Sequence, residues 1–382
     1  MIYVHIPFCR SFCTYCDFYS EVASRCGRDE QRKFAMFSNA LSKEAALRAG
    51  EISDQVNTLY IGGGTPSVLP LSVFEELLGA LGRHARAGEF EEFTVEVNPE
   101  DIVEKGASYV EGLLRMGVNR ISMGVQSFDD GILRWMNRRH DSATARKAYH
   151  ILEEAGVPNI SIDLIFGLSQ LSDSQWNETL DKALDISSKG DLPHHISSYQ
   201  LSVEPGSALA RLVDREEWEE APEELCERQY AILCDRLRRA GYHHYEISNF
   251  AQPGCEAVHN SAYWNHVPYV GLGPGAHSFL PKASRQWNEG DLGLYLRAAD
   301  IDDFSIVQDR EELTEDQLVL EHIMLGLRTS AGLQEEYLRA NCASDALEQA
   351  LACGNLERQC DGTLRIPESR FFVSDSIIAS LV

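Results

Sequence analysis

Three cysteines close to the start of the chain are spaced for joint work. They stand in His5-Ile-Pro-Phe-Cys9-Arg-Ser-Phe-Cys13-Thr-Tyr-Cys16-Asp-Phe18, a C-x3-C-x2-C loop. In a reducing compartment, closely spaced thiols are metal ligands more often than disulfides. Three thiolates fill three of the four iron corners of a 4Fe-4S cluster and leave one iron open to an outside ligand. Structural zinc takes four protein ligands, and no further Cys or His stands nearby at an ordinary zinc spacing. Cys9, Cys13 and Cys16 are therefore read as cluster ligands. The other seven of the ten cysteines, Cys26, Cys226, Cys234, Cys255, Cys342, Cys353 and Cys360, are scattered. They are expected to behave as inert, small hydrophobes.

Other residues with binding chemistry recur along the chain. In Gly62-Gly63-Gly64-Thr65-Pro66 the glycines let the backbone approach a ligand and present its polar groups; alone, such a run also reads as a tight turn. Glu96 in Thr-Val-Glu-Val-Asn-Pro and Asp163 in Ile-Asp-Leu-Ile-Phe-Gly are carboxylates among apolar neighbours. Burying either unpaired is costly, so each implies a ligand or an internal ion pair. His259-Asn260-Ser261-Ala262-Tyr263-Trp264 precedes Gly271-Leu-Gly273-Pro-Gly275-Ala-His277. Imidazole is a common axial haem ligand and aromatic rings suit a porphyrin face. A histidine that only hydrogen-bonds its neighbours would look the same in sequence.

The elements that must position these groups alternate from residue 1 to about 240 between short β-rich runs and longer helical patterns, the mark of β/α units on a parallel sheet. Six strands are expected: Ile2–Pro7, Val56–Gly62, Phe93–Asn98, Arg120–Gln126, Asn159–Phe166 and His195–Val203. Helical spacing marks Glu30–Ala49, Leu71–Gly82, Ser142–Ala155 and Asp173–Ser187. Six units close three-quarters of an eight-stranded barrel, whose chemistry belongs at the carboxyl ends of the strands. The fold class is thus α/β, a partial (β/α)6 barrel. Residues 241–310 are aromatic and rich in His and Gly, and are expected to form a connecting segment that covers the site. From 311 to 382, helices over Thr314–Arg328 and near Leu333–Ala340, two short strands about Asp361-Gly362 and a last helix from Ser374 suggest a small α+β, winged-helix-like domain.

Composition limits the function classes. The 382 residues allow two domains. With 34 Lys and Arg against 59 Asp and Glu, the net charge of −25 disfavours nucleic acid and anionic lipid as partners, and argues against DNA binding by the winged-helix-like part. Met1 to Phe8 lacks the basic start and cleavage site of a secretory signal, and no stretch reaches the roughly 20 apolar residues of a membrane span. A cytoplasmic location without an integral membrane segment is expected.

The C-x3-C-x2-C spacing is the radical S-adenosylmethionine (SAM) signature, and nearly the whole chain resembles oxygen-independent coproporphyrinogen oxidases, above all their HemW-type haem chaperone relatives. The resemblance implies that the open iron is chelated by the amino and carboxylate groups of S-adenosylmethionine, which one-electron reduction cleaves to methionine and a 5′-deoxyadenosyl radical. It also implies that Gly63, Gly64 and Thr65 lie in a glycine motif that binds the methionine moiety. Glu96, Gln126, Arg138 and Asp163 match S-adenosylmethionine contacts, and Tyr3 and Tyr15 match aromatic ones. His259 matches a histidine implicated in haem binding. Two departures separate the chain from the oxidases: Phe18 stands where they carry a fourth cysteine, and the chain begins eight residues before Cys9, where they carry a long extension. The resemblance therefore favours a haem chaperone that passes haem to an acceptor protein, with an electron donor such as a flavodoxin or ferredoxin. A coproporphyrinogen dehydrogenase is the alternative.

Overall fold

The computed structural model describes residues 1–23, 27–52, 57–82 and 90–382. Cys26 and Val56 lie outside the described residues. Six parallel strands follow the expected order: β1 (Ile2–Ile6), β2 (Thr58–Gly63), β3 (Glu92–Val97), β4 (Arg120–Gln126), β5 (Asn159–Phe166) and β6 (His195–Gln200). Three short strands from the middle segment extend this sheet. β7 (His243–Glu246) and β8 (Asn249–Ala251) add antiparallel beyond β6, and β9 (Val270–Leu272) pairs parallel with β1. Among the described residues the order is β9-β1-β2-β3-β4-β5-β6-β8-β7, an open sheet of nine strands that does not close. The partial barrel expected from six units is present, and the middle segment builds both of its edges.

The two faces of the sheet differ in chemistry because successive side chains of a strand point to opposite sides. One face carries Ile2, Val4, Leu59, Ile61, Phe93, Val95, Ile121, Met123, Ile160, Ile162 and Ile196, all buried. This face packs under helices such as Gly27–Leu47, Leu71–Leu81, Pro99–Arg115 and Ser142–Glu154. The other face carries Tyr3, Tyr60, Glu96, Arg120, Ser122, Asp163, Ser197 and Tyr199, which line a cavity on the inside of the curved sheet. Register sets these groups side by side: Tyr3 pairs with Tyr60, Glu96 with Ser122, and Asp163 with Ser197.

The C-terminal part is α+β and winged-helix-like. Helices Glu315–Leu327, Glu335–Asn341 and Ser344–Ala352 stand beside a three-stranded sheet of Leu333–Gln334, Thr363–Arg365 and Glu357–Arg358. It joins the barrel through backbone bonds from Ile247 to Arg328 and from Ser330 to Tyr245, 3.0 and 2.9 Å long. Among the described residues no helix is long and apolar enough to cross a membrane.

Candidate functional site

The cysteine loop sits over the carboxyl ends of the strands. Cys9 closes the two-residue strand Phe8–Cys9, which pairs with Glu21–Val22 and so fixes both ends of the intervening loop. Further ties hold the loop's middle to the turn after helix Asp130–Trp135. Thr14 Oγ1 donates to the Trp135 carbonyl at 2.9 Å, the Thr14 amide to Met136 at 3.1 Å, and Asn137 Nδ2 to Phe12 at 2.6 Å. His5 anchors the loop's far end. Its Nε2 faces the Tyr19 carbonyl at 2.8 Å and must be the donor there, which leaves Nδ1 to accept from the Tyr3 hydroxyl at 3.0 Å.

Cys9, Cys13 and Cys16 all border one cavity of about 610 Å³. The space is sized for an organic cofactor or substrate. Tyr3, Tyr15, Gly63, Gly64 and Thr65 line it, as do Glu96, Gln126, Arg138, Asp163 and His259. The cluster ligands and cofactor contacts expected from sequence thus border one cavity, whereas Trp264 and His277 do not. At the rim Phe12 and Phe18 are exposed, 54% and 66% of their surface being open to solvent.

A continuous polar network runs between two of the cysteines. Thr65 Oγ1 donates to Cys9 Sγ at 3.4 Å and accepts from Asn98 Nδ2 at 3.2 Å. Asn98 Oδ1 accepts from Arg138 Nη2 at 2.7 Å, and Arg138 Nη1 reaches Cys13 Sγ at 3.5 Å. Arg138 Nε is buried with no partner among the described residues, a donor left for a ligand. Burial pushes the Cys9 thiol up and the Cys16 thiol up to about 12, with the neighbouring thiols adding to the shift at Cys16. Binding of a metal cluster would remove those protons, and the Thr65 hydroxyl aimed at Cys9 favours its thiolate.

The glycine run is required by close approach. A Cβ on Gly64 would lie 2.8 Å from the Phe8 carbonyl, 2.9 Å from that of Ile6 and 3.1 Å from Cys9 Sγ. Gly63 has φ +107°, and its amide donates to Glu96 Oε2 at 3.0 Å while the Tyr60 hydroxyl donates to Oε1 at 2.6 Å. Burial nevertheless pushes Glu96 up to about 7. Asp163 is raised too, again by burial, against hydrogen bonds from Ser122 at 3.2 and 3.3 Å. A bulge between Gly124 and Gln126, with Gln126 at φ +66°, turns the Gln126 side chain into the cavity; such strain concentrates beside functional sites.

His259 lies deeper. It is 1% exposed, on helix Val258–Trp264. Nδ1 meets Thr58 Oγ1 at 2.7 Å, Nε2 meets the Tyr263 hydroxyl at 2.9 Å, and the ring packs against Tyr60. Burial pulls its pKa down to about 3, so the ring is neutral at neutral pH. Ligation of an iron by either nitrogen would have to displace one of those hydroxyls.

The profile described as the radical SAM superfamily matches residues 3–183. Over 336 residues the chain is 32% identical to the heme chaperone HemW of Bacillus subtilis, covering 87% of this chain and 84% of that protein. The heme chaperone HemW of Mycobacterium tuberculosis is 30% identical across 100% of this chain and 94% of its own. The chain belongs to the HemW family. Its fold also superposes on coproporphyrinogen III oxidase (HemN) from Escherichia coli, described as a radical SAM enzyme, with TM-score 0.78 at 20% identity, over 99% of this chain and 89% of that one. That likeness establishes the fold of this chain. Tyr60, Asn98, Arg120 and Ser122 also line this HemW-type cavity without having been expected there; for Tyr60, Arg120 and Ser122 the available signal is polar alternation inside strands that, in a parallel sheet covered on both faces, would be continuously apolar.

Proposed function

We propose that the protein is a haem chaperone on a radical SAM scaffold, binding haem and handing it to an acceptor protein. The observation that carries the reading is the similarity to curated HemW proteins, which runs through barrel, middle segment and C-terminal part, 385 aligned residues for the mycobacterial relative. Cys9, Cys13 and Cys16 would hold a 4Fe-4S cluster, and Gly63, Gly64, Thr65, Glu96, Gln126, Arg138 and Asp163, with Tyr3 and Tyr15, would hold S-adenosylmethionine. When bound, the cluster supplies a single electron and an iron open to chelation. This chain's residues do the rest: Arg138 and Thr65 orient two sulfurs, Glu96 fixes the Gly63 amide, and the loop of residues 10–18 covers the cavity mouth. A reducing, cytoplasmic setting keeps the thiols free, and a flavodoxin or ferredoxin would deliver the electron.

The role of His259 in haem binding depends on releasing Nε2 from Tyr263. Haemin titrated into the cluster-loaded protein should saturate near one per chain with a shifted Soret band, and His259→Ala should reduce uptake while leaving cluster iron unchanged. Unchanged uptake by His259→Ala would assign that histidine to packing, and absent uptake by the parent protein would remove the haem reading.

A further inference from the structure

Away from the cavity, Cys234 and His244, on consecutive elements, meet Glu368 from more than 120 positions further along the chain. Cys234 lies on helix Glu223–Arg239, His244 on β7, and Glu368 begins the turn Glu368–Val373 of the C-terminal part. Their ligand atoms lie within 4.8 Å of one another. His244 Nδ1 is 3.2 Å from Glu368 Oε1 and 3.9 Å from Cys234 Sγ. Tetrahedral zinc with ordinary Zn–N, Zn–O and Zn–S lengths separates N from O by about 3.3 Å and N from S by about 3.6 Å. The observed spacings are within a few tenths of an ångström of those values.

Hydrogen bonding selects which nitrogen of His244 is free to bind. The Tyr230 hydroxyl donates to the Ile247 carbonyl at 2.7 Å, so its oxygen accepts from His244 Nε2 at 3.3 Å; the same carbonyl is 3.4 Å from Nε2. Nε2 therefore carries the proton, and in the neutral ring Nδ1 offers its lone pair toward the thiol and carboxylate. This is the second-shell arrangement that metal-binding histidines use. The ring is held by stacking on Phe250 at 4.0 Å and by the edge of Phe371 at 5.0 Å. Contact with His244 holds the Glu368 carboxyl below its ordinary range, which keeps it available as an anionic ligand.

We propose that Cys234, His244 and Glu368 form a site for a borderline-soft divalent cation of the zinc class, joining the C-terminal part to the barrel, with its fourth position open to water. On binding, Cys234 loses its thiol proton to solvent, and the metal–sulfur, metal–nitrogen and metal–oxygen bonds form without a redox change. Thiolate and carboxylate balance the metal's two charges. Arg238 and Arg365 lie nearby but are engaged elsewhere, Arg238 by Asp235 at 2.9 Å and Arg365 by Glu357 at 2.7 Å.

The test uses the full-length chain with Cys9, Cys13 and Cys16 changed to Ala, which removes the other thiol site, and titrates zinc alone against a competing chromophoric chelator. One tight equivalent per chain is expected, with affinity lowered at least ten-fold by Cys234→Ser and by Glu368→Gln. Cobalt in place of zinc should give a thiolate-to-metal charge-transfer band that Cys234→Ser abolishes. Absence of a tight equivalent, or the same affinity in Glu368→Gln, overturns the site. Glu368 is partly exposed, so its variant decides the question even if a Cys234 variant fails to fold.

Discussion

At Glu96, hydrogen bonds from Tyr60 and Gly63 hold a carboxyl that burial pushes up to about 7. Below the unfolded value, near 4.5, the folded and unfolded states are both protonated and the residue costs nothing. As pH rises toward 7 the unfolded state ionises first, so stability falls by about 3 kcal/mol and then levels off. Glu96→Gln should match the parent protein in urea unfolding at pH 4 and be the more stable of the two by pH 8; profiles that stay parallel would show that Glu96 titrates alike in the folded and unfolded states. Glu96 and Asp163 were legible in sequence because a lone carboxylate stands out among branched apolar residues. Arg120 and Ser122 were less so: their alternation with Ile121 and Met123 gives a polar face, but only the register shows that this face lines a cavity. His259 was legible as a residue of interest. Its burial, which depends on Thr58 some 200 positions away, was not.

Among the elements, β4 and β5 have the boundaries read from sequence, and the other four parallel strands agree to within a few residues. Their hydrophobic runs are long enough to be seen locally. Helices Pro99–Arg115 and Glu223–Arg239, and strands β7, β8 and β9, have no counterpart among the elements expected from sequence. Those strands have only three or four residues and are made by pairing with distant partners, as where Val270 meets Ile2; no local period could announce them. The segment expected only to connect and cover therefore supplies both edges of the sheet. The glycine turn after β2 gives the prediction at this scale. Gly64→Ala puts a methyl against two carbonyls and should cost about 1–3 kcal/mol. It should also weaken the effect of S-adenosylmethionine on the electron paramagnetic resonance spectrum of the reduced, reconstituted cluster. An unchanged response at subsaturating ligand would place the cofactor away from this turn.

Across the whole molecule, the barrel gathers the cysteine loop and the polar strand face into one cavity, while His259 sits on a helix packed on the amino-terminal end of β2. The sequence resemblance to HemW-type proteins agrees with the family found by comparison, because the cysteine loop and glycine run are local motifs that survive at about 30% identity. The fold alone does not separate carrier from oxidase, as a TM-score of 0.78 to the oxidase makes plain. Activity does. Cluster-loaded protein, given S-adenosylmethionine, a reductant and coproporphyrinogen III, should yield no fluorescent porphyrin product above a control lacking protein. The same preparation loaded with haem should pass it to an apo acceptor, read as the decay of its own Soret band and the rise of the acceptor's. Steady conversion of coproporphyrinogen III, with haem neither bound nor transferred, would contradict the account.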